Sequence, residues 1–177
     1  SLIVLYVIAE KEKILKKDNW IFFPQKNFIF NRISEMKSFS PHVIDPKKAV
    51  LMVEITCDKN DHLWNSSDEE IFHLAIKDLE KARIIRRTEV TKCFTRKAAK
   101  VYPIYSLDYK ENMNIILSYL DTLPSLISIG RQGLFNYNNI DHCLDMSFNA
   151  AKYINEGSDI KRWQQMREKF EEYRIVD

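Results

Sequence analysis

Short apolar runs alternate with polar turn residues through the first half of the chain. Valine, isoleucine and aromatic residues dominate these runs, and such residues are enriched in β-strands. Turn-forming Asp, Asn and Pro residues follow several of them. The pattern predicts five strands, at residues 2–10, 20–24, 28–33, 49–58 and 84–96.

A first helix is predicted to begin near Asp68. Ser67 is a suitable N-cap and Glu70 stands three residues later, which together match a capping box. Apolar residues then recur at helical spacing and form a single stripe. The stripe consists of Ile71, Leu74, Ala75 and Leu79.

Helical and extended patterns alternate after residue 108. A helix is predicted at residues 109–123 and ends at Pro124, because proline cannot continue a helix. An apolar segment at 126–129 is predicted as a strand that reaches Gly130. The stripe of the helix consists of Met113, Ile116, Leu117 and Leu120.

Two further helices are predicted at the end of the chain. Asn139 caps a helix that continues to about residue 155, and Gly157 closes it. Ser158 caps a last amphipathic helix. Its inner side carries Ile160, Trp163, Met166, Arg167, Phe170 and Tyr173.

The order of elements predicts an α+β fold with a mostly antiparallel sheet and flanking helices. Strands fill the first half and helices the second. Only the segment at 126–129 is typical of the doubly wound layer of an α/β protein.

The glycine content limits the class of enzyme. The chain has 177 residues, of which three are glycine. A dinucleotide or triphosphate loop needs several glycines, because its backbone must approach the phosphates closely. Neither glycine-rich motif is present. The chain therefore cannot build such a loop alone.

Charge and cysteine usage exclude other classes. A formal net charge of +2 does not indicate nucleic acid, and the basic residues between Arg83 and Lys100 fit a charged strand edge. Three cysteines without a C-x-x-C pair and four histidines without ligand spacing predict no metal site and a cytoplasmic protein. The apolar run at 2–9 is too short for a membrane span, which needs about 20 residues.

The segment 130–142 carries the candidate chemistry. Its pattern predicts the end of a strand, a glycine turn, a polar loop and the start of a helix. A helix N-terminus with free N–H groups suits an anion or a carbonyl oxygen, and Arg131 can hold a phosphate through two hydrogen bonds. The same pattern also fits an ordinary strand-to-helix loop that Asn139 caps, with Arg131 solvated.

The run ISIGRQGLFNYNNIDH, at residues 127–142, resembles the C-terminal motif of flavin-dependent proteins related to UDP-galactopyranose mutase and protoporphyrinogen oxidase. Their pattern is G-R-x-G/A-x-x-x-Y-x-x-M-D. The segments WIFFPQKNFIFNRISEMKSFSP, VEITC and VYPIYSLDY resemble substrate-domain strands of the same amine-oxidase-like proteins. Arg131 stands where many amine oxidases carry an acidic residue, which favours the mutase-like branch.

The resemblance implies a cofactor, FAD, and two groups of site residues. The expected FAD-binding residues are Gly130, Arg131, Tyr137, Asn139, Ile140, Asp141 and His142. Ile140 replaces the usual methionine. The expected substrate residues are Asn31, Arg32, Tyr102 and Tyr105. No residue is an evident general base or nucleophile, so no catalytic residue is predicted.

The resemblance also implies a division of the chain and a missing partner. Residues 1–123 would form the substrate-domain sheet, 124–157 the FAD-domain strand, loop and helix, and 158–177 a terminal helix. The N-terminal FAD-binding half is absent, so the chain alone is expected to hold no FAD and to be inactive. The alternative is a non-catalytic interaction domain. It would self-associate through the apolar face that the FAD-binding half would otherwise cover.

Overall fold

A computed structural model describes residues 1–123, 125–157 and 159–175. The helix end predicted at Pro124 and the cap predicted at Ser158 lie outside these residues. The chain divides into two compact units, Ser1–Val101 and Tyr102–Asp177, and each is described by itself. The three-part division drawn from the resemblance stays a prediction.

The first unit combines a sheet with short connecting helices and one long helix. Its elements are β1 Leu2–Ala9, β2 Trp20–Phe22, β3 Arg32–Glu35, α1 Met36–Phe39, β4 Ala49–Thr56, α2 His62–Asn65, α3 Asp68–Lys81, a 3₁₀ turn Arg87–Glu89 and β5 Val90–Ala98. The second unit is helical. Its elements are α4 Tyr109–Leu120, α5 Gly130–Gly133, α6 Ile140–Asn155 and α7 Ile160–Phe170.

The strands of the first unit form one sheet in the order β2-β3-β4-β1-β5. Every strand pair is antiparallel. Leu5 in β1 lies opposite Val53 in β4 on one side and Thr95 in β5 on the other. The predicted antiparallel sheet and α+β class are therefore confirmed.

One face of the sheet packs against α3. Ile3, Leu5 and Val7 alternate along β1 and are fully buried, and they share a core with Ile71 and Leu79 of α3. The predicted stripe of α3 needs one correction, because Leu74 is exposed. Phe72 and Ile76 are buried in its place. The side of α3 that meets the sheet is therefore rotated towards these two residues.

The capping box at the start of α3 is confirmed. The Ser67 hydroxyl accepts the N–H of Glu70 at 3.3 Å, and the Glu70 carboxylate accepts the N–H of Ser67 at 2.8 Å. Asp68 accepts a hydrogen bond from the Thr95 hydroxyl, which lowers the pKa of its carboxyl. The acidic first turn of α3 thus has a structural role.

Two predicted strands begin later than the sequence indicated. β3 begins at Arg32 and not at residue 28, because the chain before it turns inward. Phe28 and Phe30 pack with Phe23 at ring distances of 4.9 to 5.6 Å, and the Ile29 N–H donates to Asp78 at 2.7 Å. A packed aromatic cluster therefore replaces the first residues of the predicted strand.

β5 begins at Val90 and not at residue 84. Arg83 has φ +57 and closes α3 in a left-handed conformation. The Ile84 N–H returns to the carbonyl of Leu79 at 2.9 Å. A 3₁₀ turn then intervenes before the ladder starts, so apolar Ile84 and Ile85 belong to a helix-to-strand connection.

Glu35, at the end of β3, is fully buried. Its Oε2 accepts the N–H of Ile14 at 2.8 Å and that of Leu15 at 3.1 Å. Leu15 itself enters the core. A buried carboxylate therefore fixes the middle of the loop between β1 and β2.

The second unit has its own core, between α6 and α7. Met146, Ala150 and Tyr153 of α6 are buried with Trp163 and Phe170 of α7. Ile160, Met166 and Tyr173 pack against them, as the predicted inner stripe of the last helix requires. Asp159 caps α7, since its carboxylate accepts the N–H of Lys161 at 3.1 Å.

The strand predicted at 126–129 was expected to join the sheet of an FAD domain, and it stays a prediction. Ile129 has extended backbone angles, φ −138 and ψ 166, but the described part of this unit contains no strand that pairs with it. Ile127 and Ile129 instead pack against the core of α6 and α7. The segment is therefore extended at Ile129 and has no ladder partner within the described residues.

No helix in the described ranges is long and apolar enough to cross a membrane.

Candidate functional site

Gly130 turns the chain at the start of the candidate segment. Its φ of +80 lies in the left-handed region, where glycine is favoured. Its N–H donates to the sulfur of Met146 at 3.3 Å, and its carbonyl accepts the N–H of Leu134 at 3.0 Å. The glycine turn is confirmed, while the loop predicted after it begins as the short helix α5.

Arg131 follows this turn, and its guanidinium is held on several sides. Nη1 donates to the carbonyl of Asn138 at 3.2 Å. The guanidinium carbon lies 4.8 Å from the ring centre of Tyr102 and 4.4 Å from that of Tyr137. Cation–π contacts of this kind orient an arginine without using its N–H donors.

The other edge of the Arg131 guanidinium has no partner. Nε and Nη2 are buried and make no hydrogen bond. These two nitrogens form the side edge of the guanidinium, which matches two oxygens of a carboxylate or phosphate. The predicted solvated arginine is therefore excluded, since the structure buries both donors.

Asn138 is a site residue that the sequence did not reveal. It is 2% exposed, and its Oδ1 is buried without a hydrogen-bond partner. Its Nδ2 lies 3.9 Å from the Met146 sulfur, a weak acceptor. Asparagine in a polar loop gives no sequence signal that separates a buried side chain from a solvated one.

Two predicted site tyrosines lie together with Arg131, and a third supports them. The rings of Tyr102 and Tyr137 are stacked, 5.6 Å apart and inclined by 17°. The Tyr105 hydroxyl oxygen accepts the N–H of Tyr137 at 2.8 Å. Phe135, with φ +48, packs edge-on against Tyr105 at 6.0 Å. The segment 102–109 therefore lies against the segment 130–138.

The start of α6 is organised by His142. Its Nδ1 accepts the N–H of Asn139 at 3.2 Å, and its ring stacks on Tyr173 at 4.7 Å. His142 thus acts as part of the helix cap. Ile140 and Asp141 of the predicted FAD site are exposed in the first turn.

Tyr173 connects this cap to the body of α6. Its hydroxyl donates to the Asp145 carboxylate. Burial and this carboxylate raise the pKa of Tyr173. The tyrosine therefore stays neutral and serves as a hydrogen-bond donor.

Asn31 and Arg32, the other predicted substrate residues, belong to the first unit. The Asn31 side-chain oxygen accepts the Thr56 hydroxyl at 3.0 Å. Arg32 forms an ion pair with Glu54 at 2.7 Å, and the Glu54 side chain is 3% exposed. Their substrate role stays a prediction.

A cleft of about 310 Å³ lies elsewhere in the second unit. Its lining includes Tyr109, Leu117, Phe135 and Phe170 with Arg167 and Lys110. The two cations face carboxylates, because Arg167 binds Asp121 and Lys110 lies 3.8 Å from Glu171. The cleft therefore offers apolar surface rather than unpaired charge.

The residues around Arg131 fit an anionic cofactor. Two buried N–H donors on one guanidinium edge, an adjacent buried acceptor and a glycine turn suit a phosphate-bearing ligand. No group of three His, Cys, Asp or Glu side chains within the described ranges is placed to hold a metal ion. The unpaired edge of Arg131 can therefore donate hydrogen bonds to an oxyanion.

The sequence matches no protein-family model and no curated protein. The structure is similar to that of reduced UDP-galactopyranose mutase, with a TM-score of 0.74 and 17% identity, over 88% of this chain and 33% of the other. It is also similar to a protein assigned as a protoporphyrinogen oxidase from Exiguobacterium sp. 255-15, with a TM-score of 0.64 and 16% identity, over 86% of this chain and 34% of the other. The chain spans about a third of the length of either protein.

The chain therefore shares the fold of the matching part of these two proteins. Both names belong to the families that residues 127–142 resemble. The fold expected from that resemblance, a mostly antiparallel sheet with flanking helices, is confirmed.

Proposed function

We propose that the chain is the C-terminal portion of an FAD-dependent oxidoreductase or mutase-like flavoprotein. The observation that carries this proposal is the buried, unpaired edge of Arg131 beside the Gly130 turn. Such an edge needs acceptor atoms, because buried donors without partners destabilise the fold, and the two oxygens of an oxyanion match its geometry. The shared fold and the resemblance of residues 127–142 support FAD as the cofactor that would supply it.

In this proposal, Gly130 and Arg131 hold the phosphate and ribityl side of FAD. Tyr137 and Asn139 line the ring pocket, and the backbone of residues 140–142 meets the pyrimidine edge. Bound flavin supplies the redox-active ring, and the protein binds and orients it. Asn31, Arg32, Tyr102 and Tyr105 are assigned to substrate, which we propose to be a sugar nucleotide in polysaccharide biosynthesis.

The partner of this chain is proposed to be the FAD-binding half of the same flavoprotein. The outer side of α6 supports this, because Ile140, Leu144 and Phe148 recur every four residues and are 81%, 55% and 74% exposed. The opposite side of α6 is already buried in its own core. A helix that is apolar on both sides is normally covered on both.

Without that half, the chain is proposed to bind no FAD and to be inactive. The unpaired cysteines fit a reducing, cytoplasmic compartment. We also propose that the flavoprotein binds neither nucleic acid nor a metal ion.

A second proposal rests on the same exposed side of α6. A non-catalytic interaction domain would cover Ile140, Leu144 and Phe148 by self-association, because large apolar patches seldom stay exposed. This alternative does not account for the unpaired Arg131 edge. We therefore place it second.

The test compares the isolated chain with the product of the complete natural reading frame. We expect the longer product to contain a strand followed by G-x-G-x-x-G, to be yellow and to release FAD on denaturation. The isolated chain should be colourless. Arg131→Met should lower FAD occupancy of the longer product, whereas Arg162→Met, on the exposed side of α7, should not. A complete product that lacks flavin would overturn the proposal.

A further inference from the structure

Unsatisfied buried polar atoms concentrate at one place in the second unit. Within the described residues, the buried side-chain atoms without a partner are Glu35 Oε1, Ser38 Oγ, Arg131 Nε, Arg131 Nη2 and Asn138 Oδ1. Three of them belong to Arg131 and Asn138, which are joined by a direct hydrogen bond. Native proteins leave few such atoms unpaired, and a cluster of them indicates a missing ligand group or water.

We propose that Asn138 is a specificity-determining acceptor, which makes the Arg131 site selective for an oxyanion that carries a neighbouring hydroxyl or N–H donor. The inference deepens the proposed function and rests on it for the identity of the natural ligand. Phosphate esters of polyols are the chemical class that meets this description. The ribityl phosphate of a flavin nucleotide is one member.

Arg131 has one edge of its guanidinium left for a ligand. Its Nη1 is occupied by the Asn138 carbonyl at 3.2 Å, and its contacts with Tyr102 and Tyr137 use the π-systems of the rings. The Nε and Nη2 edge is what remains, and it carries donors only. This edge selects two acceptor oxygens.

Met146 determines the orientation of the Asn138 amide. Its Nδ2 faces the sulfur of Met146 at 3.9 Å. A thioether accepts hydrogen bonds and cannot donate one. The reversed amide would place Oδ1 against the sulfur lone pairs, so the oxygen is the atom that faces the unpaired side. Asn138 therefore requires a donor from the ligand.

Tyr102 and Tyr137 control the access of a ligand to the Arg131 guanidinium. The Tyr102 and Tyr137 rings are each 37% exposed, so they form the outer layer over the buried guanidinium. In this proposal, one of these partly exposed side chains rotates away and uncovers the guanidinium while α5 and α6 stay folded. A ligand thus reaches Arg131 and Asn138 through a side-chain movement.

The test uses the full 177-residue chain and three probes: inorganic phosphate, glycerol 3-phosphate and glycerol. Calorimetric titration at low ionic strength should show glycerol 3-phosphate binding about 5- to 10-fold more tightly than phosphate, the effect of one added hydrogen bond. Asn138→Leu should bring this ratio to about one. Arg131→Met should weaken both phosphate probes by about 10-fold or more. Glycerol should not bind.

Asn149→Leu is the matched control, since Asn149 lies on α6 and bonds to Asp145 at 2.9 Å. It should leave the ratio unchanged. Equal affinity of the two phosphate probes for the wild-type chain, or a ratio that survives Asn138→Leu, would overturn the inference. Failure of every probe to bind would do so too, because the orphaned atoms would then hold water alone.

A measurement without substitution covers the case in which a variant does not fold. In ¹⁵N NMR spectra of the wild-type chain, the Arg131 Nε–H signal should shift on addition of glycerol 3-phosphate. An unmoved signal contradicts the inference. A positive result combined with a flavin-free complete product would retain this site and reject only the proposed function.

Discussion

The guanidinium of Arg167 holds the carboxylate of Asp121 through two parallel hydrogen bonds of 2.8 Å. Gln164 adds a third hydrogen bond to the same carboxylate at 2.9 Å. The side chains of Asp121 and Arg167 are 10% and 15% exposed. α7 is therefore attached to the end of α4 by a polar contact that is largely withdrawn from water.

Arg167→Met should destabilise the second unit by about 2–4 kcal/mol, because it leaves a largely buried carboxylate with fewer partners. Urea unfolding followed by the fluorescence of Trp163 measures the change. Arg162→Met is the control: its pair with Glu156 is exposed, 40% and 44%, and should contribute less than about 1 kcal/mol. Equal losses in the two variants would contradict a special role for Arg167.

The same pair should make stability depend on pH. Hydrogen bonds from Arg167 hold the pKa of Asp121 below its ordinary value. A carboxyl whose pKa is lower in the folded state stabilises the fold above its unfolded pKa, about 3.9, and this contribution is lost as pH falls through the folded value. Wild type should therefore lose more stability than Asp121→Asn between about pH 6 and pH 3. Parallel stability–pH curves for the two proteins would disprove this contribution.

Replacement of Glu35 should separate its hydrogen bonds from its charge. Glu35→Gln keeps an acceptor for Ile14 and Leu15 and should change stability by less than about 1 kcal/mol, whereas Glu35→Ala leaves these N–H groups unpaired and should cost roughly 2–4 kcal/mol. Glu35→Ala should also speed trypsin cleavage after Lys16 or Lys17. The exposed Glu12, in the same loop, supplies the control Glu12→Ala. Equal cleavage of all variants would show that Glu35 does not fix the loop.

The outer side of α6 should drive association of the isolated chain. Light scattering should show a mass that rises with concentration, and the double substitution Leu144→Asp with Phe148→Asp should give a monomer, because it removes two exposed apolar side chains. Ser147→Asp adds a charge to the same helix at an exposed polar position and should leave association unchanged. A wild-type chain that stays monomeric would argue against the interaction-domain alternative.

Local signals in the sequence predicted the sheet and the caps well. Alternation along β1 and the Ser67–Glu70 box depend on neighbours within a few residues, and both are confirmed. The segment at 126–129 has no partner strand within the described residues, since an apolar pattern does not reveal which strand would pair with it. The predicted start of β3 was also wrong. Phe28 and Phe30 pack in a tertiary cluster, which the local pattern does not reveal.

The candidate site was predicted in outline only. The resemblance identified Arg131, Tyr102 and Tyr137, but it gave no sign that both rings contact one guanidinium. Tyr102 is distant from Arg131 in the sequence and Tyr137 is near it, so the joint contact follows from the fold. Asn138 was missed because burial, and not residue type, makes its oxygen significant.

Met146 is an apolar core residue that also accepts a hydrogen bond. It is fully buried among apolar side chains, yet its sulfur accepts the N–H of Gly130 at 3.3 Å and lies beside the Asn138 amide. Leucine has a similar volume but no acceptor. A sequence comparison that treats methionine and leucine as interchangeable would score Met146→Leu as neutral. That change nevertheless removes the acceptor for the Gly130 N–H. A change at this position therefore bears on Gly130 and Asn138, although the burial of Met146 suggests a packing role alone.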